Sequence, residues 1–184
     1  RSCEETSQSS RDGSVGAFTS SPENFPAERH SHKVVAHNGY LYLIGGTNAG
    51  SYYSTVRRAQ LRGDGSINPD LGGVGVPWPT TIALPAARAG HAAVVANGVI
   101  YVLGGGSSVA NKTVYYAAPN PDGTVTAWTT SVNQMGTARL NFGAATGNGY
   151  IYALGGNNGG YSDTVEYASL NPTTGAVGAW SPTS

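Results

Sequence analysis

Three times along this chain, a mostly apolar run leads into an Asn-Gly pair, and a second apolar run follows and stops at two glycines. The central copy reads Ala92–Ala96, Asn97-Gly98, Val99–Leu103, Gly104-Gly105. The others surround Asn38-Gly39 with Gly45-Gly46, and Asn148-Gly149 with Gly155-Gly156. A two-residue Asn-Gly link between apolar, β-branched runs predicts a β-hairpin, because a type I′ turn needs positive φ at both central residues. The hairpins fall at about 31–45, 91–104 and 142–155. An arginine precedes each Asn by the same step, 38−29 = 97−88 = 148−139 = 9, and the first glycine follows by 45−38 = 104−97 = 155−148 = 7. Repetition at fixed spacing calls for a repeat architecture.

Each unit continues in the same way. A polar loop follows the double glycine, and then a third strand, from Thr55-Val56 to near Leu61, at Thr113–Ala117 and at Thr164–Ala168. A short strand ending in a large aromatic closes the unit. Two copies are Thr124–Trp128 after Asp122-Gly123 and Ala176–Trp180 after Gly175. A further one, Ser14–Phe18 after Asp12-Gly13, stands ahead of the first unit. Trp78 holds the place between units one and two, where glycines and prolines break residues 63–79 into an extended loop. Residues 1–13 read as a flexible tail, residues 14–184 as the repeat region, and no segment predicts a helix.

The pattern resembles the kelch repeat, whose ~50-residue unit folds as one four-stranded blade of a β-propeller. The resemblance rests on the three double glycines, on Arg-x-x-His at Arg29/His32 and Arg88/His91, on Tyr42, Tyr101 and Tyr152, and on Trp78, Trp128 and Trp180. It implies an all-β fold of three four-stranded antiparallel blades, at about 29–78, 88–128 and 139–180, plus the extra N-terminal strand at 14–18. The third unit departs from the pattern with Phe142 at the His place, and Phe18 stands where Trp would.

Charge narrows the possible partners. Net charge is zero, charged residues make up 11% of the 184, and the two lysines are Lys33 and Lys112. Nucleic acid binding, which needs clustered Lys and Arg, is not expected. No apolar run reaches the ~18–20 residues of a membrane-spanning helix. The lone cysteine, Cys3, has no intrachain partner and is either an exposed thiol or an intermolecular link. Low lysine with abundant Thr, Asn and Gly fits an extracellular or cell-surface setting.

Candidate chemistry is sparse. His30 and His32 would share one face of a strand, an arrangement that suits two metal ligands. Yet His32 and His91 occupy a position that takes Phe142 in the third unit, so packing is the expected role and no metal is expected. Arg29, Arg88 and Arg139 recur at one place. They either bond backbone carbonyls within the blades or cluster near an axis to bind an anion, as the resemblance permits; recurrence favours the first. The loops after the double glycines offer Asn48, Tyr52, Tyr53, Asn111, Asn157, Asn158 and Tyr161 as partner-binding residues, against the alternative of ordinary solvated turns. No nucleophile elbow, zinc-protease motif or phosphate loop is present. Kelch copper-radical oxidases need a Cys–Tyr pair inside the propeller, whereas Cys3 lies in the tail. No catalytic residue and no cofactor is therefore expected. Asn111-Lys-Thr113 is an N-glycosylation sequon.

The expected function is a non-enzymatic scaffold that presents variable loops to a protein partner or to other copies of itself; the alternative is a lectin-like module that stacks glycan on its loop tyrosines. Three blades fall short of the 4–8 that close a propeller, and strand 14–18 has no blade of its own. The sequence thus predicts part of a longer array, half of a six-bladed dimer, or a fibre subunit, rather than a lone closed monomer.

Overall fold

The computed structural model describes residues 27–183, so the tail with Cys3 and the strand at 14–18 with Phe18 lie outside the described residues. The described residues form three four-stranded antiparallel sheets and no helix. Blade 1 opens with β1 (Lys33–His37) and β2 (Tyr40–Ile44). A small hairpin, β3 (Thr47–Asn48) and β4 (Ser51–Tyr52), rises from the following loop. β5 (Val56–Gln60) and β6 (Thr80–Thr81) complete the blade in the order β1-β2-β5-β6. Blade 2 holds β7 (Ala92–Ala96), β8 (Val99–Leu103), β9 (Val114–Ala117) and β10 (Thr129–Thr130). Blade 3 holds β11 (Gly143–Gly147), β12 (Tyr150–Asn157), β13 (Tyr161–Leu170) and β14 (Val177–Pro182).

The three Asn-Gly turns form as the sequence predicts. Asn38, Asn97 and Asn148 take φ of 46°, 50° and 52°, and Gly39, Gly98 and Gly149 take 75°, 79° and 79°. The turn sets the register, pairing Ala96 with Val99 and, further along, Ala92 with Leu103.

The fourth strands differ from expectation. The segment 124–128 is not a strand, and β10 begins only after Trp128. The backbone of 124–125 is committed elsewhere. Asp122 Oδ1 accepts the Thr124 N–H at 2.9 Å, and the Thr124 carbonyl accepts the Asn120 N–H at 2.8 Å. The Val125 N–H donates to Thr81 Oγ1 of blade 1 at 2.7 Å. β6 likewise follows Trp78, and in blade 3 alone does the strand include its tryptophan, Trp180. Trp78 is buried, and Trp128 and Trp180 are half-buried. Trp128 packs against the core between blades 1 and 2, and Trp180 against that between blades 2 and 3.

The cores lie between blades. Tyr42, Ile44 and Val35 of blade 1 meet Ile100, Val102 and Tyr115 of blade 2. Tyr101, Leu103 and Val114 of blade 2 meet Phe142, Ile151 and Ala153 of blade 3, with Met135 between them. The innermost strand β7 packs against both β1 and β11. Blade 2 is therefore covered on both faces, and every residue of β8 is buried. This is why Val99–Leu103 reads as a continuous apolar run rather than an alternating one.

Candidate functional site

The inner end of each blade is built on its arginine. Arg29 Nη1 donates to the Gly45 carbonyl at 3.0 Å and to Thr55 Oγ1 at 3.2 Å. Arg88 repeats this with the Gly104 carbonyl at 2.8 Å and Thr113 Oγ1 at 3.1 Å. Arg139 does so with the Gly155 carbonyl and with Thr164 Oγ1 at 2.8 Å. Arg88 and Arg139 are buried, and their donors turn onto their own blades. The charge is met differently in each copy: Tyr53 lies 4.6 Å below the Arg29 guanidinium, Tyr115 lies 4.2 Å from that of Arg88, and Glu166 bonds Arg139 Nε at 3.0 Å. Glu166 also accepts the Gly136 N–H at 2.6 Å, so the buried pair has further hydrogen bonds to offset desolvation. Burial lowers the pKa of Arg29 and Arg88, and for Arg29 the neighbouring Arg57 charge adds to the effect.

The double glycines mark where successive blades touch. A Cβ on Gly45 would stand 2.6 Å from the Arg88 carbonyl oxygen and 3.0 Å from His91 Cε1; on Gly104 it would stand 2.9 Å from Phe142 Cε1. The second glycine is pressed from its own blade, Gly105 by the His91 backbone and Gly46 by His32. The His/Phe position is thus a packing position whose ring covers the first glycine of the preceding blade. His91 is fully buried; burial first and the Arg88 charge second push its pKa down to about 3, so the ring is neutral. His30 does not share a strand face with His32, because Ser31 between them has φ of 54° and β1 starts only at Lys33.

Three sets of hydrogen bonds between blades recur at both seams. The Gly46 N–H donates to the Arg88 carbonyl at 2.9 Å and the Arg88 N–H to the Tyr53 carbonyl at 3.1 Å; Gly105, Arg139 and Asn111 do the same at 2.9 and 3.2 Å. Near the axis, the Gly90 N–H donates to the Ser31 carbonyl at 2.9 Å and the Asn141 N–H to the Gly90 carbonyl at 2.7 Å. Towards the outside, the Tyr42 hydroxyl donates to the Gly123 carbonyl at 3.0 Å and the Tyr101 hydroxyl to the Gly175 carbonyl at 2.9 Å. Burial pushes both tyrosines up to about 12, which keeps them protonated donors.

Ser31, Gly90 and Asn141 were not singled out from sequence. All three have positive φ, 54°, 61° and 51°. Gly90 and Asn141 are residue types that tolerate that conformation, and the serine breaks the signal. Together with His30, Thr47, Tyr52, Gly106 and Ser108 they line a hollow of about 210 Å³ at the axial end. Two of the variable loops, 47–53 and 106–111, thus reach one site.

Of the loop candidates, Tyr52 alone lines this hollow. Tyr53 stacks on Arg29, and Asn48 pairs with Ser51 in the β3–β4 hairpin. Asn111 Oδ1 accepts the Thr113 N–H at 2.8 Å. Asn157, Asn158 and Tyr161 lie in and at the tip of the β12–β13 ribbon, which extends further than its counterparts. The Tyr161 side chain is 99% exposed. Among the described residues no three His, Cys, Asp or Glu side chains gather as metal ligands do, and no helix is long and apolar enough to cross a membrane.

A search of curated proteins finds no match to the chain. The kelch motif, by contrast, matches three times, at residues 28–58, 87–116 and 138–167. Each match takes in the arginine, the hairpin, the double glycine and most of the third strand of one blade. Repeats of this kind generally mediate protein interactions. Three matches in register with three sheets of one topology place the chain in the kelch-repeat family.

Proposed function

We propose that the chain is a non-enzymatic scaffold that binds a protein segment in the axial hollow, at a cell surface or outside the cell. One observation carries this reading. The seams between blades reuse the same atoms, while the segments lining the hollow differ: the β3–β4 hairpin with Tyr52 on one side, the loop with Ser108 on another. A rigid frame with varied, polar, tyrosine-bearing loops suits recognition of a partner's side chains. A volume of about 210 Å³ fits one or two side chains rather than a drug-sized ligand. The neutral charge and low lysine content support the extracellular setting.

A glycan is the alternative occupant, favoured by the Tyr52 ring, 39% exposed at the rim. Selection of a random peptide display library on the folded protein tests the first reading. Peptides should be enriched whose binding is lost in Tyr52→Ala and in Ser108→Trp, which fills the hollow, with Tm unchanged in both. Failure of any peptide to depend on the hollow would refute it. A glycan-array signal abolished by Tyr52→Ala would establish the alternative.

A further inference from the structure

Blade 3 has no blade after it among the described residues, and its outer face differs from those of blades 1 and 2 in a consistent way. Tyr40 and Val99 are each 8% exposed, but Tyr150, at the same place, is 39% exposed. Ile44 and Leu103 are fully buried, but Leu154 is 41% exposed. Tyr42 and Tyr101 are fully buried, whereas Tyr152 is half-buried, and no described residue accepts its hydroxyl. The ring that covers Gly45 and Gly104 from the next blade has no equivalent at Gly155, whose Cβ position meets only the Ser162 carbonyl oxygen. The Asn141 carbonyl, unlike those of Ser31 and Gly90, accepts no backbone N–H among the described residues.

The complementary half stands on blade 1. Gly65 follows Asp64 in a turn built like the one at Gly123. The Gly65 N–H donates to Arg62 as Gly123 does to Asn120, at 3.0 and 2.9 Å. Asp64 Oδ1 accepts the Ser66 N–H at 2.8 Å as Asp122 Oδ1 accepts that of Thr124 at 2.9 Å. φ is 84° at Gly65, 80° at Gly123 and 71° at Gly175. Gly123 and Gly175 are buried under the preceding blade's aromatic side, Gly123 against Tyr40 and Gly175 against Val99 and the Tyr101 hydroxyl. Gly65 is exposed, and no atom lies within 4 Å of where its Cβ would stand. On blade 1, Leu41 and Ile67 are half-buried and pack over the buried Leu43, Ala59 and Trp78.

We propose that the open face of blade 3 binds the Gly65 side of blade 1 of a second copy of this chain, head to tail. The Tyr152 hydroxyl donates to the Gly65 carbonyl of the incoming copy, its Ser31 N–H donates to the Asn141 carbonyl, and its His32 ring covers Gly155. Tyr150 and Leu154 are buried against Leu41 and Ile67. The contact repeats the tyrosine hydroxyl bond, the axial N–H bond and the ring over the first glycine that recur at the two seams inside the chain, and this identifies the occupant. Within the described residues β7 lies between β1 and β11, so blade 1 does not reach the open face of blade 3, and a second copy brings it there. Two copies supply six blades and can close; if the rotation does not close, the same head-to-tail contact grows a filament. This goes beyond the reading of the axial hollow and stands without it.

Solution mass of the full chain, by sedimentation over a range of concentrations, tests the proposal. The wild type should have the mass of two copies or of a growing series. Leu154→Arg, at an exposed position, should weaken association at least tenfold, and so should Gly65→Asn. Asparagine tolerates the positive φ of Gly65 but would occupy the place of the Tyr152 hydroxyl. Both variants should keep the wild-type circular dichroism. Mixed together, the two should associate more than either does alone, because each retains the half that the other has lost. A monomer at all concentrations, or association that neither substitution weakens, would overturn the proposal. So would a mixture that associates no more than its components, because the contact would then not be head to tail.

Discussion

His91 holds its imidazole neutral against the first glycine of blade 1's pair, and this fixes how the protein responds to acid. The folded-state pKa of about 3 lies below the ordinary value of 6.5, so the unfolded chain binds the proton more readily. Stability from this group is complete above about pH 6.5 and is lost as pH falls from there towards 3, by at most ~1.4 kcal/mol per pH unit. Lys33 and Arg88, both positive, disfavour the charged ring further. Phe142 fills the same place in blade 3, so His91→Phe should fold and should flatten the profile. Urea midpoints of the two proteins, compared at pH 7, 5 and 4, should diverge as pH drops. Parallel curves would mean that His91 takes a proton without cost to the fold.

At the scale of the element, glycines that look alike in sequence do different work. Gly98 turns the β7–β8 hairpin with φ of 79°, and no atom lies within 4 Å of its Cβ position. Gly98→Ala should cost about 1 kcal/mol, from backbone strain alone. Gly105, at φ of 72°, has the His91 N, Cα and Cβ within 2.6–2.7 Å of that position. Gly105→Ala adds a clash with backbone that cannot rotate away, and should cost at least twice as much, read as the shift in chemical-denaturation midpoint. The hairpins were legible because Asn-Gly carries its turn with it. The double glycines were legible as positions, though their purpose, the first to admit the next blade's backbone and ring and the second its own blade's His backbone or side chain, needs the third dimension. The fourth strands were not legible. Whether 124–128 pairs with β9 is decided by Thr81, 44 residues before Val125 and in another blade. The pairing of Arg139 with Glu166, where the other copies have Arg57 and Tyr115, was equally hidden, because recurrence draws attention to what stays the same.

Across the molecule, support is uneven. β8 is buried along its whole length between two blades, whereas β11 alternates between exposed and half-buried residues. In a repeat stack each unit leans on its neighbours, so the middle one should open last. Amide hydrogen exchange should be slowest in β8 and faster in β11 and the outer part of β12; uniform protection across the three blades would contradict this order. The seams consist mainly of peptide groups, hydroxyls and apolar side chains, with one charged donor, Arg58 Nη1, reaching the Asp122 carbonyl at 2.6 Å. Among the described residues the one ion pair, Arg139–Glu166, lies within blade 3 and not between blades. Ionic strength therefore has little purchase on how the blades hold together, since mobile ions screen charges and leave neutral hydrogen bonds alone. Brine and fresh water should be nearly the same medium to this stack.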